Sequence, residues 1–441
     1  MEGSTSREAK VSRQIRVRFI TSLPKHLRVP SSSMAVPSDV NRFVLSDIIN
    51  ALLPQDTPIA FDFLIGGQLV RTPLDKFLLE NGISAEKVLD IEYTYAAAPQ
   101  KQEDPCVHDD WVSALDGSHP SLILSGCYDG NGRVWRHGAT CTHILEGHTG
   151  AIASVSIVDA KANDHNGKFC VATASKDRTL RLWKFNAGDL VECPKKVSAF
   201  KILRGHTSSV QSVSSDPSGQ MVCSGSWDCS VKLWHANESD AEGGLVSIKK
   251  RKVNSVADLN ETSQMEADAV STFTGHTQCV SSVVWPEQET IYSASWDYSV
   301  RIWDVETGNN SMTLVCKKVL HCLDVGGESS ALIAAGGSDP VLRIWDPRRP
   351  GSLAPVFEFS SKYSHKSWIT SCKWHAKSWF HLLSSSYDGK VILWDVRTQL
   401  PITILEAHED KVLCTDWWGG DSVISGGADS KLCIFSGCHI S

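Results

Sequence analysis

Histidine, aspartate and tryptophan residues recur together through most of the chain, and such side chains could carry acid–base chemistry or bind a metal. A histidine is followed 21 to 29 residues later by an aspartate, and an aromatic residue stands six positions after that aspartate. A catalytic site would need such a set once, whereas this set returns in block after block. We therefore expect a repeated buried hydrogen-bond network of histidine, aspartate, serine or threonine, and the indole N–H. The residues concerned are His148, Asp177, Trp183, His206, Asp228, Trp234, His276, Asp297, Trp303, Asp388 and Trp394.

Seven segments place that aspartate in a tight turn, followed by alternating apolar residues and a final aromatic residue. Alternation over a short run indicates a β-strand. The final aromatic residues lie 41 to 69 positions apart, a period typical of WD40 repeats. The sequence therefore predicts a mainly β fold containing a seven-bladed WD40 β-propeller over residues 108–441. The final aromatic residues are Trp135, Trp183, Trp234, Trp303, Trp345, Trp394 and Phe435.

Three of these blades depart from the pattern. The first has His108 in place of a Gly-His pair, the fifth has no histidine at the expected position, and the last ends in Phe435, which has no indole N–H. Terminal and weaker repeats commonly vary in this way. Because a closed propeller leaves only short, protected edges, we expect the last blade to take its outer strand from residues 97–107.

A polar insertion separates the third and fourth of the final aromatic residues. Residues 236–270 are poor in aromatic residues and mixed in charge, so we expect a disordered loop. The loop contains Lys249, Lys250, Arg251 and Lys252, a cluster that could act as a nuclear localisation signal or contact RNA phosphates. The alternative is a solvated charged loop, since short basic clusters also arise by chance.

The first hundred residues follow a different pattern. Residues 14–96 predict two strands, a helix, two strands, a short helix and a last strand, which is the order of a small α+β ubiquitin-like domain. Gly66–Gly67 marks a hairpin turn within it. We expect residues 1–13 to be disordered and residues 97–107, rich in alanine, proline and polar residues, to form a semi-flexible linker.

The composition limits the function classes. A chain of 441 residues is expected to form two domains, or one domain with a large repeat array. A net charge of −7 argues against a surface that is basic throughout. The 14 cysteines form no CxxC pairs and follow no signal-peptide pattern, so we expect reduced thiols in the cytosol or nucleus. No apolar run of about 18 residues and no GxSxG, P-loop or HExxH motif occurs, so neither a membrane span nor an enzyme is expected.

We call residues 14–96 the head. Two stretches of the head, FDFLIGGQLVRTPLDKFL and GISAEKVLDIEYTYA, resemble the Notchless-like head of WD40 ribosome-assembly factors. With HDDWVSAL at the junction and EAHEDKVLCTDWW in the last blade, the chain resembles the WD-repeat subunit family of the Pescadillo (PeBoW) complex, the Ytm family. The resemblance implies a non-catalytic scaffold for large (60S) ribosomal subunit assembly, rRNA processing and pre-60S maturation in the nucleolus and nucleoplasm. The implied partners are a Pescadillo-type protein, a block-of-proliferation-type WD40 protein and the pre-60S particle.

The resemblance also implies a metal-dependent contact. Heads of this family dock onto Midasin, a large AAA motor, where a glutamate of the head completes the coordination of a Mg²⁺ ion, which prefers carboxylate oxygens. The family pattern assigns this role to Glu86 in Gly-Ile-Ser-Ala-Glu, so the chain would have no cofactor of its own. On the residues alone, Glu86 could equally be an acid in a first helical turn after a capping serine. Other candidates are Glu80, Asp90 and Glu92.

Aromatic residues beside the turn aspartates predict a contact surface. Trp227, Trp296 and Tyr387 stand directly before these aspartates, at the end of the propeller near its central channel. We expect partner contacts there, and packing between neighbouring blades is the alternative.

Two other functions stay open at this point. One is a WD40 substrate receptor or adaptor in a ubiquitin pathway, which typically needs a ligase-binding segment that the chain lacks. The other is the related Notchless-type assembly factor, whose propeller has eight blades rather than seven.

Overall fold

The computed structural model describes residues 13–437, with gaps at residues 22, 24, 54–60, 67, 71, 85–86, 96–100, 137–139, 160–167, 187–192, 238–264, 328–330, 350–353, 360–363 and 398–399. The chain divides into two compact units, Met1–Gln100 and Lys101–Ser441. Among the described residues, no helix has the length and apolar character needed to cross a membrane. The predicted disorder over residues 1–13 lies almost wholly outside the described range.

The first unit is a five-stranded sheet with two helices. Its strands follow the order β2-β1-β5-β3-β4, with β1 parallel to β5 and the other pairs antiparallel. This is the ubiquitin-like roll predicted from the sequence. The elements are β1 Gln14–Ile20, β2 Met34–Pro37, α1 Arg42–Leu52, β3 Phe61–Ile65, β4 Gln68–Leu69, α2 Leu74–Glu80 and β5 Leu89–Tyr95, with a 3₁₀ turn at Lys25–Leu27.

Alternation along the strands builds the core of this unit. In β1, Ile15, Val17 and Phe19 are buried while the residues between them are exposed. Asn41 starts α1, because its side-chain oxygen accepts hydrogen bonds from two backbone N–H groups of the first turn. The buried sides of α1, α2 and the sheet then share one apolar core.

The described residues of the second unit form seven sheets, numbered here in chain order, whose principal strands pair antiparallel. The strands of sheets 1 to 3 are β8 Val112–Asp116, β9 Leu122–Cys127, β10 Gly132–Arg136 and β11 Thr140–Leu145; β12 Ile152–Asp159, β13 Lys168–Ser175, β14 Thr179–Asn186 and β16 Lys201–Arg204; and β17 Val210–Ser215, β18 Met221–Ser226, β19 Ser230–His235 and β21 Ser271–Thr274. Those of sheets 4 and 5 are β22 Val280–Glu287, β23 Thr290–Ser295, β24 Ser299–Asp304 and β25 Asn310–Val315; and β26 Leu320–Gly326, β27 Leu332–Gly337, β28 Leu342–Trp345 and β29 Phe357–Phe359. Those of sheets 6 and 7 are β30 Ile369–Trp374, β31 His381–Ser386, β32 Lys390–Asp395 and β33 Leu400–Glu406; and β34 Val412–Trp418, β35 Ser422–Gly427 and β36 Lys431–Ser436.

The first strands of the seven sheets form a closed ring. Each packs against the first strand of the next sheet, and β34 of sheet 7 packs against β8 of sheet 1. Side chains join neighbouring sheets: the Asp116 carboxylate accepts a hydrogen bond from the Ile157 N–H at 2.6 Å, and Asp416 accepts one from Gly117 at 2.9 Å. The ring encloses a channel of about 810 Å³. This architecture is the predicted propeller.

The ring is closed by residues from the start of the second unit. β6 Lys101–Gln102 and β7 Cys106–Val107 pair antiparallel with β36 and complete sheet 7. The predicted outer strand from residues 97–107 is therefore present. The same residues were predicted to form a linker, and in the described part of that segment, residues 101–107, most of the chain belongs to the sheet.

Two short strands extend sheets 1 and 2. β15 Lys195–Val197 pairs parallel with β11, and β20 Met265–Ala267 pairs parallel with β16. β20 falls inside residues 236–270, which were predicted as one disordered loop. That prediction extends too far at its C-terminal end, because these three residues complete hydrogen bonds at the edge of sheet 2.

Candidate functional site

The repeated histidine and aspartate residues meet inside the sheets. In sheet 3, His206 Nδ1 lies 2.7 Å from Asp228 Oδ2, and His206 Nε2 lies 2.8 Å from the Ser224 hydroxyl. The Trp234 indole N–H donates to the same hydroxyl at 2.8 Å. The serine therefore joins the histidine to the tryptophan. Sheets 2, 4 and 6 repeat this network with His148, Thr173, Asp177 and Trp183; His276, Ser293, Asp297 and Trp303; and His365, Ser384, Asp388 and Trp394.

Sheet 7 has the same network without its last member. His408 lies 2.8 Å from Asp429 and 2.9 Å from the Ser425 hydroxyl. Phe435 occupies the tryptophan position and is buried. Because its side chain has no N–H group, it cannot donate to the Ser425 hydroxyl as a tryptophan would.

The electrostatics of the network favour a structural role. Burial alone would raise the pKa of Asp177, but hydrogen bonds from His148 and Thr179 lower it well below its ordinary value. The pKa of Asp388 falls to about 2 for the same kind of reason, through His365. The pKa of His148 is lowered, chiefly by burial, although Asp177 acts to raise it. A neutral imidazole bonded on both nitrogens has no free site to act as a base or ligand.

In sheets 1 and 5, the turn aspartate is paired with an arginine. The turn aspartate Asp129 binds Arg133 at 2.7 Å, and Asp339 binds Arg343 at 2.6 Å. In sheet 1, His108 Nε2 still reaches the Ser125 hydroxyl at 2.9 Å, but its Nδ1 has no partner among the described residues. These two sheets therefore neutralise the turn aspartate with a guanidinium group instead of an imidazole.

Sheet 5 also lacks the hydroxyl that joins histidine and tryptophan. In the other six sheets this serine or threonine stands ten residues before the final aromatic residue. Ala335 occupies that position in sheet 5, and the buried Trp345 Nε1 has no hydrogen-bond partner within the described chain. The fixed spacing of ten residues was the signal that could have identified these hydroxyl residues from the sequence.

Aromatic rings form a continuous row at one end of the propeller. We call this end the turn face, because it carries the turns between the second and third strands and the loops that enter the first strands. Trp227 contacts Trp296 with ring centroids 4.7 Å apart, Trp296 contacts His321 at 5.8 Å, and His321 stacks on Trp368 at 5.4 Å. Trp368 stacks on Tyr387 at 5.8 Å. These five residues are the aromatic row.

The aromatic row joins sheets 3 to 6 and is open to solvent. Trp227, Trp368 and Tyr387 are exposed, whereas Trp296 and His321 are partly buried between their neighbours. The row brings together the three predicted contact residues and adds His321 and Trp368, which the sequence analysis missed. Large exposed aromatic side chains in one patch are typical of a binding surface.

The other predicted site residues lie outside the described residues. These are Glu86, in the gap at 85–86, and the basic cluster Lys249, Lys250, Arg251 and Lys252, in the gap at 238–264. Among the described residues, no group of three histidine, cysteine, aspartate or glutamate side chains is arranged to hold a metal ion.

Comparison with known families matches both units. A profile described as NLE (NUC135) domain matches residues 15–78, and one described as WD domain, G-beta repeat, matches five segments. The mainly β WD40 fold behind a Notchless-like head is thereby confirmed. The five segments are residues 139–184, 198–235, 268–304, 356–395 and 399–436.

Individual relatives extend the match over almost the whole chain. The chain is 61% identical to the "Ribosome biogenesis protein WDR12 homolog" of Oryza sativa subsp. japonica over 433 residues, 97% of this chain and 98% of the relative. The Arabidopsis thaliana protein of that name is 59% identical over 98% of both chains. The Nematostella vectensis protein is 33% identical over 96% of this chain and 99% of its own. The chain belongs to the WDR12 family.

Membership of the WDR12 family confirms the resemblance to the Ytm family. Each of the five matched segments ends one residue after the final aromatic residue of sheet 2, 3, 4, 6 or 7. These are the five sheets with a His–Asp network. In sheets 1 and 5, which use arginine, the matched segments cover only the outer strands β11 and β29.

Proposed function

We propose that this WDR12-family chain is a non-catalytic assembly factor for the large (60S) ribosomal subunit, acting in rRNA processing and pre-60S maturation in the nucleolus and nucleoplasm. The observation that carries the proposal is full-length similarity to relatives named as ribosome biogenesis proteins, at up to 61% identity. The internal histidine and aspartate residues support a scaffold, because their nitrogen and oxygen atoms are occupied by hydrogen bonds within the sheets.

Complementation tests this role. In Arabidopsis cells depleted of their own WDR12 homolog, large-subunit rRNA precursors should accumulate, and expression of this chain should restore their processing. The tagged chain should sediment with pre-60S particles. Unaltered processing after depletion, or the absence of rescue by a well-expressed chain, would contradict the proposal.

The proposed partners are a Pescadillo-type protein and a block-of-proliferation-type WD40 protein, with the aromatic row as the docking surface for the second. Exposed tryptophans that can be covered by a partner are the residue type that most often dominates binding energy. The double change Trp227→Ala and Trp368→Ala should raise the Kd for that WD40 protein about 100-fold or more. The matched control is Trp379→Ala, which removes an exposed tryptophan that is not in the row. Equal affinities for wild type and double variant would reject the surface.

For the head, we propose that Glu86 supplies one ligand to a Mg²⁺ ion held by Midasin. Support comes from described residues near it in the sequence, since Leu79, which is 84% exposed, and Val88, which is also exposed, are apolar side chains open to a partner. Binding of the full chain to the Midasin metal-site domain should need Mg²⁺ and should be lost in Glu86→Ala. Glu80→Ala is the matched control. Mg²⁺-independent binding, or equal binding of both variants, would leave Glu86 as a helix-start acid.

The basic cluster Lys249–Lys252 is proposed to direct nuclear import or to contact pre-ribosomal RNA. Support comes from the described residues on either side of the segment: the ammonium group of the buried Lys201 donates to the carbonyl oxygen of Asn237 at 2.9 Å, and the Lys201 backbone pairs with Met265. Both ends of the segment therefore meet at one sheet edge. Replacing the four residues by alanine should either move a fluorescent fusion to the cytoplasm or leave it nuclear with reduced, less salt-dependent RNA binding. No change in either measurement would identify a solvated loop.

The names of the relatives disfavour the two alternatives. None of the three relatives reported above is named as a ubiquitin-pathway receptor or as a Notchless protein. Recovery of ubiquitin ligase subunits in place of pre-60S proteins with the tagged chain would revive the first alternative.

A further inference from the structure

The residue after the turn aspartate has an unusual backbone conformation in six sheets. It adopts a positive φ, between 62° and 84°, which glycine tolerates and other residues rarely adopt. Sheets 1 and 6 have glycine at this position, whereas sheet 5 has Pro340 and a different turn. The six residues are Gly130, Arg178, Cys229, Tyr298, Gly389 and Ser430.

Tyr298 is the largest side chain placed in this strained position. Its φ is 67°, and the residue is 45% exposed. Within the described part of the chain, its ring makes no aromatic contact and its hydroxyl makes no hydrogen bond. Among the described residues, no hydrogen bond or ring contact of the Tyr298 side chain therefore offsets the strain. Side chains kept in strained backbone positions cluster at binding sites.

The surroundings of Tyr298 are aromatic and basic. It stands two residues after Trp296 of the aromatic row, and its carbonyl oxygen accepts a hydrogen bond from the Cys316 N–H at 2.7 Å. That bond ties the turn to the loop that carries the exposed Lys317 and Lys318. The turn carboxylates of sheets 3 to 6 are nearly buried and already bound to histidine or arginine. The exposed Glu358 beside them is also bound to Arg343, so the two lysines supply the charge open to a partner at this place.

We infer that Tyr298, Lys317 and Lys318 form a specificity-determining subsite of the turn face, which receives an acidic segment of the protein partner. The inference rests on the proposed docking function of the aromatic row. Lysine ammonium groups complement carboxylates, and an exposed tyrosine supplies apolar contact with a polar tip.

RNA is the other class of negatively charged partner, and the geometry of the row disfavours it. A base stacks on a free ring face. In the row, His321 and Trp368 lie 27° from parallel, and Trp368 and Tyr387 lie 22° from parallel, so these rings already use faces against one another. Their outward edges suit apolar protein side chains better than nucleotide bases.

The test exploits opposite effects on stability and binding. Tyr298→Gly should relieve the backbone strain and raise the melting temperature of the full chain by about 1–3 °C. It should also raise the Kd for the block-of-proliferation-type WD40 protein about ten-fold, because the ring contact is lost. Ser430→Gly, at the same turn position in sheet 7, should stabilise the chain similarly and leave the Kd unchanged.

A second experiment tests the two lysines of the subsite. Lys317→Glu with Lys318→Glu should weaken binding about ten-fold or more and reverse its salt dependence. A 20-nucleotide oligouridylate serves as the RNA probe and should bind wild type and variants equally weakly.

The possible failures are distinguishable. If the Trp227→Ala and Trp368→Ala double variant loses binding while Tyr298→Gly binds like wild type, the inference is wrong and the docking surface stands. If the double variant also binds like wild type, the docking function itself is wrong. Tight binding of the oligouridylate that Tyr298→Gly and the lysine variants abolish would assign the subsite to RNA and overturn the inference.

Discussion

The five sheets with a His–Asp network and the two with an Arg–Asp pair bury the same turn aspartate by different means. In sheet 2 the partner of Asp177 is an imidazole whose pKa burial lowers, so the pair carries one negative charge held by hydrogen bonds. In sheet 5 the partner of Asp339 is the Arg343 guanidinium, which stays charged. The comparison teaches that the fold requires a partner for the carboxylate, and that histidine is only one way to provide it.

The largest expected effect comes from removing the turn aspartate, which should destabilise a sheet with an Arg–Asp pair more than a sheet with a His–Asp network. Asp339→Ala leaves the Arg343 guanidinium, which is 9% exposed, with the exposed Glu358 at 3.3 Å as its one remaining described carboxylate and the neutral Val341 carbonyl oxygen at 3.2 Å. We expect a loss of about 4 kcal/mol in the free energy of unfolding, because a buried charge is left nearly uncompensated. The matched change Asp177→Ala strands a neutral His148 and should cost about 2 kcal/mol. Urea unfolding of the full chain measures both.

A double variant checks the cause. Asp339→Ala with Arg343→Met removes the charge together with its partner and should recover most of the loss. If the single and double variants are equally unstable, the buried charge is not the reason for the effect.

Acidification should destabilise sheet 1, where His108 is not hydrogen-bonded to an aspartate. Burial lowers the pKa of His108 to about 4, below the ordinary value of about 6.5. As the pH falls from 6.5 towards 4, His108 binds a proton in the unfolded chain but not in the native state. This difference should lower the free energy of unfolding by about 2–3 kcal/mol. His108→Gln should make the stability curve flatter over that range. Superimposable pH profiles of the two proteins would contradict the assignment.

Removing the serine hydroxyl that links the histidine to the tryptophan should destabilise the chain moderately. Ser293→Ala deprives both His276 and Trp303 of a partner at 2.8 Å. An expected loss of about 1–2 kcal/mol follows from two buried groups left unsatisfied. Thermal and urea unfolding provide the measurement, and a loss below about 0.3 kcal/mol would show that water replaces the hydroxyl.

Adding that hydroxyl to sheet 5 should have the smallest effect and should stabilise the chain instead of destabilising it. Ala335→Ser places an acceptor where Trp345 Nε1 has no partner, and we expect a gain of about 1 kcal/mol. Ala334→Ser is the control, since this fully buried neighbour lies in a different apolar cluster and its hydroxyl would be stranded. Destabilisation by both changes would mean that sheet 5 has no room for the network.

The repeated features of the propeller were predictable because their signal repeats. A turn aspartate followed six residues later by an aromatic residue is informative in seven copies, and alternation marks the strands between them. The joining serine or threonine was harder to identify because such residues are common and the rule appears only as a fixed distance from the tryptophan. The replacement of histidine by Arg133 and Arg343 could not be predicted, since arginine also occurs at that position in sheets that keep their histidine.

The aromatic row and the short parallel strands depend on contacts between distant parts of the chain. His321 and Trp368 belong to different sheets, and only the curvature of the ring brings them into contact. β15 and β20 contain three residues each, too few for any periodic pattern. Their pairing is decided by the edge strand that each one meets.

The strand that closes the ring has a consequence for how the protein is made. Gln102 pairs with Phe435, so the partners leave the translating ribosome at very different times, roughly 15 to 70 seconds apart at ordinary synthesis rates. Until sheet 7 emerges, the apolar side of sheet 1 that later packs on β34 is uncovered, and β6 has no partner strand. A nascent chain in this state exposes both a sheet edge and an apolar face, and it is a natural client for a chaperone that binds near the first sheet and leaves when the last one arrives.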